Sequence, residues 1–457
     1  MKKTLKEQIG DMSGSGQEVI DRSQCRIFMT GAGGVGKSTN INEIVKHMNP
    51  VVLSSTGVSA ALIGGQTIHS FFRLGICNTI AEVKANDVHM MQKFGIANIH
   101  EFLAKMQKSI RDTPLIIIDE VSMVNDQLMN MIQYRLDQAG CPNKPLLFSG
   151  DLLQLPPVKG DMLLKNKYFK EFSPLLLEKI WRTTDLEFID QLNKIRGGEV
   201  DLDYLEKFNV DMPFDDPLYA RLYATNAEAS ALNNQKLKAL DGDMNTYFPE
   251  IIPGSKNPYE AEIKTIYKNY RIQDPLKLKI GARILVTANM KNEDGVKIVN
   301  GDLGTIKEMY DNRIIVYIDR LDITIGIDPF ISEKVVFDDG VRVVEYGIRH
   351  IPVMLAWGIT IHKSQGMSID KLFIDASNIF APSQFYVAIS RARDPEHLKI
   401  HYGSSDYEVG RSIRAISRVN IEALDYYKSI KEDENLIMLD DDVDIMSVVR
   451  KMIGEVL

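Results

Sequence analysis

The stretch RIFMTGAGGVGKSTNINEIVKHM (26–48) decides the fold. An apolar strand, Arg26–Thr30, runs into a glycine-rich loop, and an amphipathic stretch opens directly behind it. Gly31, Gly36, Lys37 and Ser38 fit the spacing G-x-x-x-x-G-K-[ST]. The glycines let backbone N–H groups wrap a run of phosphates at the positive end of a helix. Lys37 is then placed for the β- and γ-phosphates and the Ser38 hydroxyl for Mg²⁺, while Gly33, Gly34 and Thr39 complete the cradle. Strand, loop and helix in that order read as the first turn of a parallel α/β sheet.

LIIIDEVSM (115–123) supplies the second half of such a site. An apolar strand ending in Asp-Glu sets Asp119 at the C-terminal edge of the sheet, where ligands of doubly wound folds sit. Asp119 suits the Mg²⁺ shell, and Glu120 beside it can orient and deprotonate an attacking water. A base next to the metal ligand favours hydrolysis over transfer to an acceptor. No NKxD sequence for guanine occurs in the chain, so ATP is the expected nucleotide. GDLLQLPPV (150–158) follows another apolar strand, and its Gln154 amide can feel a γ-phosphate without adding charge.

Outward from these motifs, short apolar runs at Arg26–Thr30, Val51–Ser54, Leu115–Ile118 and Leu146–Ser149 alternate with helical patterns. They read as βαβ units on a buried parallel sheet. Between Phe71 and Pro114 the pattern is polar and helical, as an insertion would be. A second α/β region opens near Pro174, with a helix in LEFIDQLNKIRGG (186–198) and a strand in YARLYAT (219–225). From about 257 to 350 the texture turns to short alternations such as ARILVTA (282–288), GTIKEMY (304–310), RIIVYID (313–319) and VRVVEYG (341–347), as in a small barrel or sandwich. The α/β pattern then returns with VMLAWGITIHKSQG (353–366).

The length of 457 residues predicts roughly two to four domains, and the net charge of −8 argues mildly against a nucleic-acid partner. A local basic groove is enough for such a partner, and the acid is concentrated in KEDENLIMLDDDVD (431–444), read as a solvated C-terminal segment. Cys25, Cys77 and Cys141 show no CxxC spacing, so neither a zinc site nor a disulfide framework is expected. No apolar run is long enough for a membrane span, and the basic N-terminus lacks the apolar core of a signal peptide. An intracellular protein is expected, cytoplasmic or nucleoid-associated in a prokaryotic or viral setting.

Taken in order, GAGGVGKST, STGVSAALIGGQTIHSFF (55–72), LIIIDEVSM, GDLLQLPPV, LAWGITIHKSQG (355–366) and YVAISRAR (386–393) resemble the successive motifs of superfamily-one helicases. They are most similar to the Pif-type DNA helicases, with RecD and Dda as relatives, over about residues 17 to 400. The resemblance implies two RecA-like domains with ATP and Mg²⁺ bound between them. The first would span 1–175 with an insertion at about 73–110, and the second 176–256 with 351–425. An SH3-like insertion would occupy 257–350 and an acidic segment 426–457. It further implies that Arg182 and Arg391 meet charge on the γ-phosphate, that Gly366 and Gln17 belong to the nucleotide site, and that Arg393 is structural. The family's usual Arg-Gln is here Arg182-Thr183, and Gln17 lies closer to the loop than the family's adenine-reading glutamine.

By the same resemblance, single-stranded DNA would be met by Thr56, His69 and Phe71 on the first domain. Thr360, His362, Lys363 and Gln365 would meet it on the second. The implied activity is a monomeric motor moving 5′ to 3′ and unwinding tailed or forked duplexes in repair, replication or recombination. The segment between Gly75 and His100 lies where relatives place a strand-separating pin. G-quadruplexes and RNA–DNA hybrids stay open as substrates. Two other classes also stay open: a P-loop ATPase that binds nucleic acid as a switch without unwinding, and an RNA helicase.

Overall fold

The computed structural model describes residues 25–454 apart from 56–59, 61–64, 76, 95, 158–159, 292–294, 339–340, 434–435 and 439–443. The chain forms two compact units. One runs to Trp181 and takes in Val336–Val343 and Ile421–Leu457; the other comprises Arg182–Val335 and Val344–Asn420.

The first unit is built on β1 (Arg26–Thr30), β2 (Val51–Ser54), β3 (Gln66–Thr67), β4 (Ile116–Asp119), β5 (Leu146–Gly150) and β6 (Ser173–Leu176). With Ile437–Met438 they form one sheet in the order Ile437–Met438, β6, β1, β5, β4, β2, β3, every pairing parallel. Successive side chains of a strand point to opposite faces. Phe28, Ile118 and Phe148 therefore enter one core, while Met29, Ile117 and Leu147 enter the other. That explains why these strands read as unbroken apolar runs. The polar stretch after Phe71 forms two helices, Ile80–Phe94 and Ile96–Asp112.

The boundary between the units falls after Trp181 rather than at 175/176. The reason is local: β6 pairs with β1, Leu177 N–H donates to Thr30 O at 2.8 Å, and Trp181 N–H donates to Gly34 O at 2.8 Å. Within the acidic 431–444 stretch read as solvated, Ile437–Met438 pairs with β6, and the helices on either side of the stretch bury apolar residues. Ala423, Tyr427 and Ile430 of helix Ile421–Ile430 enter the core of the Phe28 face. Ile445, Met446, Val448, Val449 and Met452 of helix Ile445–Met452 enter the core of the other face. Apolar spacing on both flanks of the acidic stretch holds this part of the chain against the sheet, because buried methylenes contribute about 0.8 kcal/mol each.

The second unit holds a parallel sheet ordered Gly358–Thr360, Ala220–Tyr223, Leu372–Asp375, Leu398–His401. A five-stranded antiparallel sheet runs Ile323–Ile327, Arg313–Ile318, Leu303–Tyr310, Arg283–Val286, Val353–Leu355 over a core that includes Ile284, Ile306 and Val316. Val341–His350 pairs antiparallel with Glu250–Pro253. The β-rich part thus reaches beyond both ends of the expected 257–350 stretch. Among the described residues no helix is long and apolar enough to cross a membrane.

Candidate functional site

Three motifs gather at the C-terminal edge of three neighbouring strands of the first sheet. The loop 31–36 follows β1, Asp151–Gln154 follow β5, and Glu120 follows β4. Helix Lys37–His47 begins at Gly36, which has φ +86° and ψ 17°, a left-handed geometry that glycine adopts without strain. A Cβ at Gly31 would lie 2.2 Å from Leu177 O, so only glycine fits where the loop passes β6. The helix has no acidic residue in its first turn and no side-chain cap on its N-terminal N–H groups. Such an end attracts anions. Lys37 Nζ lies over the loop, donating to Gly31 O at 2.8 Å and Ala32 O at 2.9 Å, and Ser38 and Thr39 are exposed beside it. Gly33 and Gly34 are half-buried in the same loop.

Asp119 is buried at the end of β4. Burial pushes its carboxyl above the ordinary range, opposed by the nearby Ser149 hydroxyl, by the Glu120 backbone and by the Lys37 charge. The carboxylate and the ammonium therefore feel each other across the strand ends. Glu120 has φ +53°, a left-handed conformation uncommon outside glycine. Ser55 Oγ donates to Glu120 O at 3.1 Å, which helps hold that turn. Gln154 is buried next to Asp151. Residues of these types fit ATP and Mg²⁺: N–H groups and an ammonium for phosphate, a hydroxyl and a carboxylate for the metal.

In the second unit, Arg182 and Arg391 come together. Arg182 Nη1 donates to Ser390 O. Burial, with the charges of Arg391 and Arg393, lowers its pKa to about 9. Arg391 is buried and donates to Val387 O and Ser390 Oγ, both at 2.9 Å. Arg393 pairs with Asp370 at 2.7 Å, both side chains partly exposed. Gly366 has φ +77° in the loop that carries Thr360, His362, Lys363 and Gln365. Thr360 Oγ1 accepts from Lys363 N–H at 3.3 Å, and His362 and Lys363 are exposed on a single 3-10 turn. The Gln365 Nε2 is buried without a hydrogen-bond partner among the described residues.

Not every expected contact holds its place. Gln17 and Thr56 lie outside the described residues. Phe71 is 4% exposed and packs edge-on against Phe72 at 4.9 Å, so its ring is core and offers no face to a base. It lies on the inner side of the one-turn helix Ile68–Phe71, whereas His69, half-buried, turns elsewhere. Two residues were missed. Tyr427 bonds Thr30 Oγ1, and its hydroxyl accepts from Leu152 N–H at 3.1 Å, tying β1 to the Gln154 loop. No local signal in the sequence marks it. Trp181, 64% exposed, sets its ring beside the loop, 3.6 Å from where a Gly36 Cβ would be. An aromatic directly before Arg182 is the signal that could have found it.

A family model described as PIF1-like helicase matches residues 6–204, and one described as Helicase matches 341–429. An ATP-dependent DNA helicase Pif1 from Campylobacter jejuni is 32% identical over 432 residues, covering 88% of this chain and 94% of that protein. A crystal structure of Bacteroides Pif1 with ADP-AlF4 aligns with a TM-score of 0.75 at 26% identity, covering 91% and 96% of the two chains. Bacteroides Pif1 bound to single-stranded DNA aligns at 0.57 and 26%, covering 92% and 99%.

Proposed function

The chain belongs to the PIF1-like helicase family and is an ATP-dependent DNA helicase; we propose that it moves 5′ to 3′ on single-stranded DNA and opens tailed or forked duplexes. The observation that carries the catalytic half is the convergence of Lys37, Glu120 and Gln154 on adjoining strand ends, with Asp119 sensing the Lys37 charge. In this reading the loop N–H groups and Lys37 bind the triphosphate, and Ser38 and Asp119 hold Mg²⁺. The metal neutralises phosphate charge. Glu120 takes a proton from the attacking water, which Gln154 helps to orient. Arg182 and Arg391, two cations already paired with carbonyl groups, supply positive charge for the γ-phosphate.

For the strand, the reading uses His69 and the turn with Thr360, His362, Lys363 and Gln365. The orphaned Gln365 amide and the exposed His362–Lys363 pair support it. The 5′ to 3′ direction rests on the resemblance of TIHSFF (67–72), GDLLQLPPV and TIHKSQG to the branch that moves that way. The helices Ile80–Phe94 and Ile96–Asp112 are the candidate strand separator. Buried Arg135 anchors the first of them through Asp87 at 2.8 and 2.9 Å, while holding Phe72 O at 3.0 Å. Steady-state ATPase with and without single-stranded DNA is the test. Hydrolysis should be low alone and rise strongly with DNA. No stimulation at all would reject the motor and favour the switch.

A further inference from the structure

Arg271 sits where a glycine is expected. It follows helix Glu260–Asn269 one residue past the capping Tyr270, at φ +56°, with Ile272 N–H closing back onto Tyr267 O at 2.8 Å and Tyr270 N–H onto Ile266 O at 2.9 Å. Helices commonly end with glycine in this geometry, and an arginine there is strained. Its side chain compounds the cost. Nη2 donates to Lys363 O at 2.6 Å, but Nε and Nη1 are buried with no hydrogen-bond partner among the described residues. No described carboxylate pairs with Arg271 or with Lys363. Burial holds the guanidinium pKa down to about 10, and Lys363, exposed at its surface, is lowered by partial desolvation of its ammonium and then by the Arg271 charge. The guanidinium is thus held against the backbone of Lys363, close enough for the two charges to interact, while its Nε and Nη1 stay short of acceptors. That is costly without an anion and favourable with one.

We infer that Arg271 and Lys363 form a two-cation site for one phosphodiester of the tracked single strand. The inference rests on the proposed DNA-binding role of the 360–365 turn, and it extends that surface to the end of an element the resemblance did not assign. A bridging phosphate would take Lys363 Nζ from one side. A small rotation of the guanidinium would bring an unpaired N–H to the same oxygen set, a geometry arginine favours for phosphate.

The test is the salt dependence of binding to a mixed-sequence single-stranded oligonucleotide by the full chain, for wild type, Arg271→Gln and Arg271→Lys. Loss of one phosphate contact lowers the slope of log K against log [salt] by about 0.7. Arg271→Gln should show that lower slope and bind about tenfold more weakly at low salt. Arg271→Lys should restore the slope. Weaker binding with an unchanged slope would overturn the site and leave Arg271 a packing residue, as would an Arg271→Gln protein that binds like wild type. Thermal melting of each variant excludes unfolding as the cause of a loss, and if Arg271→Gln folds poorly, Arg271→Gly, which suits φ +56°, should show the same lowered slope, an unchanged slope overturning the site. If the wild type itself fails to bind the oligonucleotide, the DNA-binding reading fails rather than the assignment of Arg271.

Discussion

Replacing Tyr427 by Phe removes one oxygen from the centre of the first unit. That hydroxyl bonds Thr30 Oγ1, one residue before the phosphate loop, and accepts from Leu152 N–H at 3.1 Å in the Gln154 loop. Thr30 keeps a partner, because its hydroxyl also donates to Gly150 O at 2.8 Å. Leu152 N–H does not, and Leu152 is 1% exposed, so water cannot replace the lost acceptor. A buried donor left unmatched costs about 1–3 kcal/mol. The phenyl ring still fills its place among Ala423 and Ile430, so no cavity adds to that figure. For a unit of this size the melting point should fall by roughly 2–4 °C for each kcal/mol. Thermal unfolding followed by circular dichroism would show it, with urea titration confirming a lower midpoint at unchanged slope. A Tyr427→Phe protein that melts with the wild type would refute the view that the C-terminal helix pins these two motifs together.

Phe71→Ala should cost about 3–5 kcal/mol of stability, as truncation of a core aromatic does. An unchanged melting point combined with lost oligonucleotide affinity would instead restore its ring to a base-stacking role. Glu120→Gln should leave ATP binding near normal while turnover falls by about 10²–10⁴-fold, measured by filter binding and steady-state hydrolysis. Arg391→Ala should lose on the order of 10³-fold in DNA-stimulated turnover, by the scale of arginines that meet a γ-phosphate. Normal hydrolysis in that variant would leave its contacts to Val387 and Ser390 as purely structural.

The strands of the first sheet were legible because both of their faces are buried. Arg26–Thr30 and Val51–Ser54 stand where their apolar runs end, and the strand bearing Asp119 is displaced by a single residue. The phosphate loop was legible for a different reason: glycine spacing there answers to backbone geometry, which needs no tertiary context. Phe71 was misread because a motif fixes a residue's neighbourhood in sequence, not which side of a one-turn helix faces the core. Helix Ile445–Met452 was hidden by the acid preceding it, although Asp444 in fact caps its N-terminus by accepting from Met446 N–H at 3.1 Å. Arg271 had no signal at all. A left-handed arginine at a helix end, bonded to a carbonyl 92 positions away, exists only once the chain has folded.

Whether ATP turnover drives directional movement on one DNA strand is read from strand separation of one duplex carrying either a 5′ or a 3′ single-stranded tail, with ATP and with a non-hydrolysable analogue. Unwinding is expected from the 5′ tail with ATP only, with little from the 3′ tail. Efficient unwinding from the 3′ tail would contradict the direction, and strand separation sustained by the analogue would contradict the motor itself.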